Sequence, residues 1–185
     1  LIRSLTKNNI KVTALTRNIH QKGYILKTQA NPGYLEIVEG SIFDHELIEQ
    51  LFNNADLCVN LIGILFEKGK NNFNNIHVEF PKMISRYAST YKLEKFVHLS
   101  ALGIENAKDS IYAQSKLKGE KEILNNFNKA VIVRPSIVYS VDDNFTTQLM
   151  TLLGLLPVFP IYYNGKTKFR PIHCSDLTDS ITKII

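Results

Sequence analysis

The chain has 185 residues, 44% hydrophobic and 21% charged, ordinary for a soluble globular protein and enough for one domain with a sizeable core. Its formal charge of +5 is spread without a run of four basic residues, so we read it as solvated surface and expect no nucleic-acid partner. Two cysteines far apart in sequence, Cys58 and Cys174, point to a reducing compartment, and the absence of an apolar run of about 18 residues argues against a transmembrane segment.

The opening, Leu1 to Asn9, reads as the end of a helix, and Asp176 to Ile185 reads as a helix cut in mid-course. With no initiating Met and no signal-peptide pattern, the chain reads as an internal piece of a longer protein. Ile10–Thr16 (IKVTALT) has the β-branched character of a buried strand, and Leu35–Glu39 (LEIVE) is a second, closed by Gly40. Asp44–Asn53 carries Leu47, Ile48, Leu51 and Phe52 at helical spacing, with Asp44 a good N-cap. Asp56–Ile64 (DLCVNLIGI) is almost continuously apolar, as expected of a strand covered on both faces. The Asn- and Lys-rich Glu67–Asn75 reads as a mobile loop. Phe73–Tyr91 then forms a long helix that must start or kink near Pro81, because an interior proline costs about 3 kcal/mol. Lys95–Leu99 is a strand, Asp109–Phe127 a helix, Lys129–Arg134 a strand closed by Pro135, and Phe145–Leu156 a helix. Tyr163-Asn164-Gly165-Lys166 carries a hairpin-turn signal. Phe169–Ile172 reads as a strand, after which Ser175 or Asp176 caps the last helix.

Strand alternating with helix at this spacing predicts an α/β fold, a doubly wound parallel sheet with helices on both faces. Right-handed crossovers bring every strand's carboxyl end to one edge, where such sheets bind ligands. The candidate site is therefore built from the residues after each strand. Arg17 follows the first strand, and no Asp or Glu occurs between Ile10 and Tyr34. An acidic residue at that place suits a ribose 2′-hydroxyl, whereas an arginine suits a 2′-phosphate, which favours NADP(H) over NAD(H). The alternative is a solvated arginine. Gly63 lets backbone approach a ligand closely, or merely eases a turn. Asn60 suits a structural role as well as a cofactor contact, and Ser100 either bonds a ligand carbonyl or its own loop. Pro135 and Ser136 end a strand where a nicotinamide carboxamide would meet backbone groups. His98 reads as a structural histidine that alternates out of its strand, and no metal-ligand constellation or Ser-His-Asp arrangement stands out.

Tyr112 and Lys116 lie four residues apart on the Asp109–Phe127 helix, one turn apart on one face. An ammonium beside a phenol favours the phenolate, so the pair is expected to hold the Tyr112 pKa down and fit it for proton transfer. Taken alone, it is also a common pattern for a surface tyrosine and lysine.

Taken in order, Val12-Thr-Ala-Leu-Thr-Arg17, Glu39-Gly-Ser-Ile-Phe-Asp44, Val59-Asn-Leu-Ile-Gly63, Lys95-Phe-Val-His-Leu-Ser-Ala-Leu-Gly103, Tyr112-Ala-Gln-Ser-Lys-Leu-Lys-Gly-Glu120, Ile132-Val-Arg-Pro-Ser136 and Phe169-Arg-Pro-Ile-His173 span nearly the whole chain. The chain resembles an extended or atypical short-chain dehydrogenase/reductase of the NAD(P)-dependent epimerase/dehydratase type. A narrower likeness, through the His-Leu-Ser-Ala-Leu and Arg-Pro-Ser contexts and Asp142-Asp-Asn-Phe145, is to the accessory subunit of respiratory complex I that has this fold and to its bacterial relatives.

The resemblance implies a Rossmann-like sheet, with residues 1–140 a dinucleotide-binding domain and 141–185 the start of a smaller C-terminal region. It implies Tyr112 as general acid, with Lys116 lowering its pKa and holding the nicotinamide ribose, and Ser100 beside them. Arg17 would face the 2′-phosphate, Gly40 and Ser41 would lie by the adenine, and Asn60, Leu61, Ile62 and Gly63 would run along the cofactor. Leu99, Pro135 and Ser136 would complete the contacts.

The sequence departs from the family pattern in three ways. Ser41 replaces an acidic adenine contact. Ala101 stands where active members place Ser or Thr. The first strand and glycine-rich phosphate loop belong upstream of Leu1, so this stretch alone is expected to bind a dinucleotide poorly. Two functions follow from the resemblance: an NADP(H)-holding protein of structural or assembly role, partnered with complex I subunits, or an active NAD(P)H-dependent reductase or epimerase using Tyr112 and Lys116. The first is favoured. The implied setting is the mitochondrial matrix or bacterial cytoplasm, peripheral to the membrane.

Overall fold

The computed structural model describes residues 1–141, 143–156, 164, 166 and 168–185. Helix α1 (Ile2–Lys7) leads into β1 (Val12–Thr16), α2 (Ile19–Lys27), β2 (Leu35–Glu39), α3 (His45–Asn53) and β3 (Leu57–Asn60). A π-helical turn (Asn74–Glu79) runs directly into α4 (Phe80–Thr90). Then follow β4 (Lys95–Leu99), α5 (Ile111–Asn126), β5 (Val131–Val133), β6 (Val138–Tyr139), α6 (Asn144–Leu155), β7 (Ile172–His173) and α7 (Cys174–Ile184).

Every strand pair is parallel. β1 pairs with β2, β3–β4–β5 form a second sheet in that order, and β6 pairs with β7. Among the described residues no ladder joins β1 to β3. The alternation of side chains along β4 assigns the two faces. Phe96 joins Cys58 and Ile132 in a core with Ile48 and Phe52 of α3, Phe80, Ile84 and Ala88 of α4, and Ile123 of α5. Val97 packs on the opposite face with Val59, Leu99 and Val133, against Leu177 and Ile181 of α7 and Leu1. Leu15 of β1 and Ile42 pack on the first core beside Ile62, which ties β1 to the three-stranded sheet.

Several elements differ from the sequence expectations. Helix α2 was not foreseen: its Tyr24 and Ile25 are exposed, so it buries no apolar stripe, and it is set up by Asn18, whose Oδ1 accepts from the Gln21 N–H at 3.0 Å. The helix expected over Phe73–Tyr91 opens as a π turn, in which Phe80 N–H donates to the Asn75 carbonyl. Pro81 then lies in the first turn of α4, where its missing N–H is tolerated. The Glu67–Asn75 loop, expected to be mobile, carries hydrogen bonds of its own. Its Glu67 carboxylate accepts from Phe73 N–H at 2.7 Å, Asn75 Nδ2 donates to the Lys70 carbonyl, and Lys68 bridges Asn71. The last strand lies later than expected, at Ile172–His173. His173 Nδ1, not Ser175 or Asp176, caps α7 by accepting from Ser175 N–H. Of the turn expected at Tyr163–Lys166, Tyr163 and Gly165 lie outside the described residues.

Candidate active site

The ends of β3 and β4 and one face of α5 meet at the carboxyl edge of the strands. Ser110 starts α5 by accepting from Ala113 N–H at 3.2 Å, which fixes the helical phase that carries Tyr112 and Lys116. Lys116 is 4% exposed, and its Nζ donates to the Leu99 carbonyl at the end of β4 at 3.2 Å. A Cβ on Gly63 would come to 3.2 Å from that Nζ, so the loop after β3 runs directly past the ammonium. Burial draws the Lys116 pKa down to about 8, partly opposed by the Glu120 carboxylate one turn on.

Tyr112 is half-buried, its ring edge-on to Phe73 and His77 at centroid distances of 5.9 and 5.4 Å. Burial raises its pKa, which overturns the expectation that Lys116 would hold it down. The phenol has left water for an aromatic wall, while the Lys116 ammonium is directed at the Leu99 carbonyl.

Asn60 is spent on structure. Its Oδ1 accepts from Ile62 N–H at 3.0 Å, so its Nδ2 donates to His98 Nδ1, also at 3.0 Å. The buried His98 ring is thereby neutral with its proton on Nε2, and burial followed by the nearby Lys116 charge pulls its pKa down to about 3. Ile62 packs into the core, while Leu61 is exposed. Ser100 has its Oγ buried with no hydrogen-bond partner among the described residues, so the bond to its own loop is not made. Ser100 N–H donates to Val133 and Leu102 N–H to Pro135, which sets the Pro135–Ser136 turn beside Ser100.

The other candidates stand on β1 and β2. Arg17 is exposed after β1 and has no ion pair among the described residues. Gly40 N–H donates to the Thr16 carbonyl, joining the two strand ends, and a Cβ there would meet the tip of the Leu47 side chain. Ser41 Oγ accepts from Phe43 N–H in a local turn.

Sequence reasoning missed His77, Ser115 and Phe73. Ile64 N–H donates to His77 Nε2 at 3.1 Å, and His77 Nδ1 bonds Ser115 Oγ at 2.8 Å. Phe73 stacks on the His77 ring at 5.3 Å. The partners of His77 lie 13 and 38 residues away, and nothing local in the sequence marks the connection.

A parallel sheet with helices on both faces, and a lysine and a tyrosine on one helix face at its carboxyl edge, defines a Rossmann-like α/β fold. The chain belongs to the NAD dependent epimerase/dehydratase family, which it matches over residues 1–181. It is similar to the mitochondrial NADH dehydrogenase [ubiquinone] 1 alpha subcomplex subunit 9 of Dictyostelium discoideum, 27% identical over 185 residues, covering 100% of this chain and 51% of the relative. The Mus musculus protein of the same name is 27% identical over 156 residues, covering 84% of this chain and 41% of its own length. The chain thus spans about half the length of these curated relatives. In fold it is similar to the Bordetella bronchiseptica enzyme WbmH, whose structure was solved in complex with NAD+, with TM-score 0.73 and 17% identity over 97% of this chain and 64% of that one.

Proposed function

We propose that the protein holds a nicotinamide dinucleotide, NADP(H) in preference to NAD(H), chiefly for structure or assembly, in the manner its likeness to the complex I subunits suggests. The observation that carries the reading is the cradle at the carboxyl edge. There the Lys116 ammonium stands beside Gly63, with the buried, unpartnered Ser100 hydroxyl at the adjoining strand end. These groups fit such a ligand: a bare backbone stretch for close approach, a cation for ribose hydroxyls and a hydroxyl with free hydrogen-bonding capacity. Arg17 supplies a guanidinium for a 2′-phosphate. Ligand held only by the folded state stabilises it by mass action, with no turnover needed. The bound nicotinamide supplies hydride donor or acceptor chemistry. The raised Tyr112 pKa and Ala101 favour holding over turnover. The likeness to mitochondrial complex I subunits supports a setting in the mitochondrial matrix or bacterial cytoplasm, peripheral to the membrane, with complex I subunits as the proposed partners.

The second reading, an active reductase or epimerase, draws on Tyr112 and Lys116 sharing one helix face at that edge. The test is made on the full-length protein: extract and identify its cofactor, then follow NADPH oxidation with candidate carbonyl substrates. Stoichiometric NADPH that does not exchange, without turnover, supports the holding role. Turnover that Tyr112→Phe abolishes supports the enzyme. Arg17→Ala is expected to weaken NADPH at least about tenfold and leave NADH unchanged, since one charge-assisted contact is worth about 1.5–3 kcal/mol. Equal NADH and NADPH affinity, unaffected by Arg17→Ala, would overturn the role given to Arg17.

A further inference from the structure

The β3 loop and α5 are distant in sequence, and one buried side chain touches both. The Ile64 N–H donates to His77 Nε2 at 3.1 Å, so Nε2 carries no proton. The proton is on Nδ1 and is donated to Ser115 Oγ at 2.8 Å, and Ser115 in turn donates to the Tyr112 carbonyl at 2.7 Å. One imidazole therefore reads the backbone of the β3 loop on one side and the first turn of α5 on the other. The Cβ position of Gly63 lies 3.8 Å from His77 Nε2 and 3.2 Å from Lys116 Nζ, so the histidine and the lysine bracket the same loop residue.

We infer that His77, as the neutral Nδ1-protonated tautomer, is a positioning residue that latches the β3 loop to α5 and so sets the gap between Gly63 and Lys116. As a site for a dinucleotide, this rests on the reading proposed above; as a latch, it does not. The latch fixes how near the loop stands to the Lys116 ammonium. Burial, and next the Lys116 charge, draw the His77 pKa down to about 4, so the ring stays neutral at physiological pH. A doubly protonated ring would lose the Ile64 bond and add a second cation beside Lys116.

Two variants of the full-length protein separate the two arms. His77→Phe keeps a ring against Phe73 and Tyr112 and removes both hydrogen bonds; His77→Gln keeps an acceptor for Ile64. Hydrogen exchange at the Ile64 amide and NMR titration of Lys116 through its Cε carbon need no nucleotide. In folded His77→Phe, Ile64 is expected to exchange at least about tenfold faster. Lys116 should titrate above its wild-type pKa of about 8, towards the ordinary 10.5. His77→Gln should restore the protection of Ile64. Unchanged exchange and titration in His77→Phe overturns the latch. Should His77→Phe not fold, loss of Ile64 protection in His77→Gln overturns it and retention supports it. Affinity for NADPH is measured in parallel. Wild-type protein that binds no dinucleotide defeats the proposed function, while the exchange and titration results still decide the latch.

Discussion

Lys116 carries a positive charge into a place where burial disfavours it, and the cost is visible as pH-dependent stability. Its folded pKa of about 8 lies below the ordinary 10.5, so the unfolded chain binds this proton more tightly. The sign follows: the penalty is fully present below pH 8, and stability rises as pH climbs from about 8 to 10.5. Lys116→Met is expected to stabilise the ligand-free protein by about 1–2 kcal/mol at pH 7, because an apolar group replaces an ion with one hydrogen bond. The same change should abolish dinucleotide retention. Chemical denaturation at pH 7, 8.5 and 10 checks both the gain and the disappearance of that slope; a less stable variant would show that the Leu99 contact outweighs desolvation. Cys58, half-buried against the core, is a thiol whose pKa desolvation pushes up to about 12, which disfavours the thiolate.

At the scale of elements, the site depends on how closely α5 lies on the π turn. A Cβ on Gly119 would overlap the His77 carbonyl oxygen, a backbone atom that has nowhere to rotate. Ala in place of Gly normally favours a helix interior by about 1 kcal/mol. Here Gly119→Ala is expected to cost about 2–4 kcal/mol by overpacking, and to disturb Tyr112 and Lys116 together since all three ride on α5. Urea denaturation with nucleotide titration tests this, and a stabilised variant would refute the close approach. One turn beyond Lys116, the same side of α5 is held by Arg134 after β5, whose Nε donates to the buried Glu120 carboxylate at 2.9 Å, with Glu105 alongside.

Over the whole molecule, the two ends of the chain close the second face of the sheet. Ile181 and Leu177 of α7 pack with Val97, Val59 and Leu99 behind the strands that carry the site. Ser4 Oγ bonds Thr182 Oγ1 at 2.9 Å, and Lys95 Nζ donates to the Ile184 carbonyl at 2.6 Å. Ile181→Ala is expected to cost about 2–5 kcal/mol and lower the melting temperature, with Tyr112 and Lys116 untouched. A melting temperature equal to wild type would show that α7 is not part of the cooperative unit.

The linear sequence was enough for whatever depends on local pattern. Leu35–Glu39 and Lys95–Leu99 are legible as strands from their β-branched and aromatic content, the α3 start from Asp44, and the Tyr112–Lys116 pairing from helical spacing. Parallel connectivity, and with it the common edge where Gly63, Leu99 and Lys116 meet, follows from alternation alone. Tertiary structure decided the chemistry of those groups. Whether Asn60 faces a ligand or His98, whether Tyr112 titrates below or above an ordinary phenol, and whether Ser100 satisfies itself locally all depend on neighbours distant in sequence. The same holds for His77, whose latch joins residues 64 and 115. Desolvation and hydrogen-bond satisfaction are properties of the packed interior, and no window of sequence contains the atoms that set them.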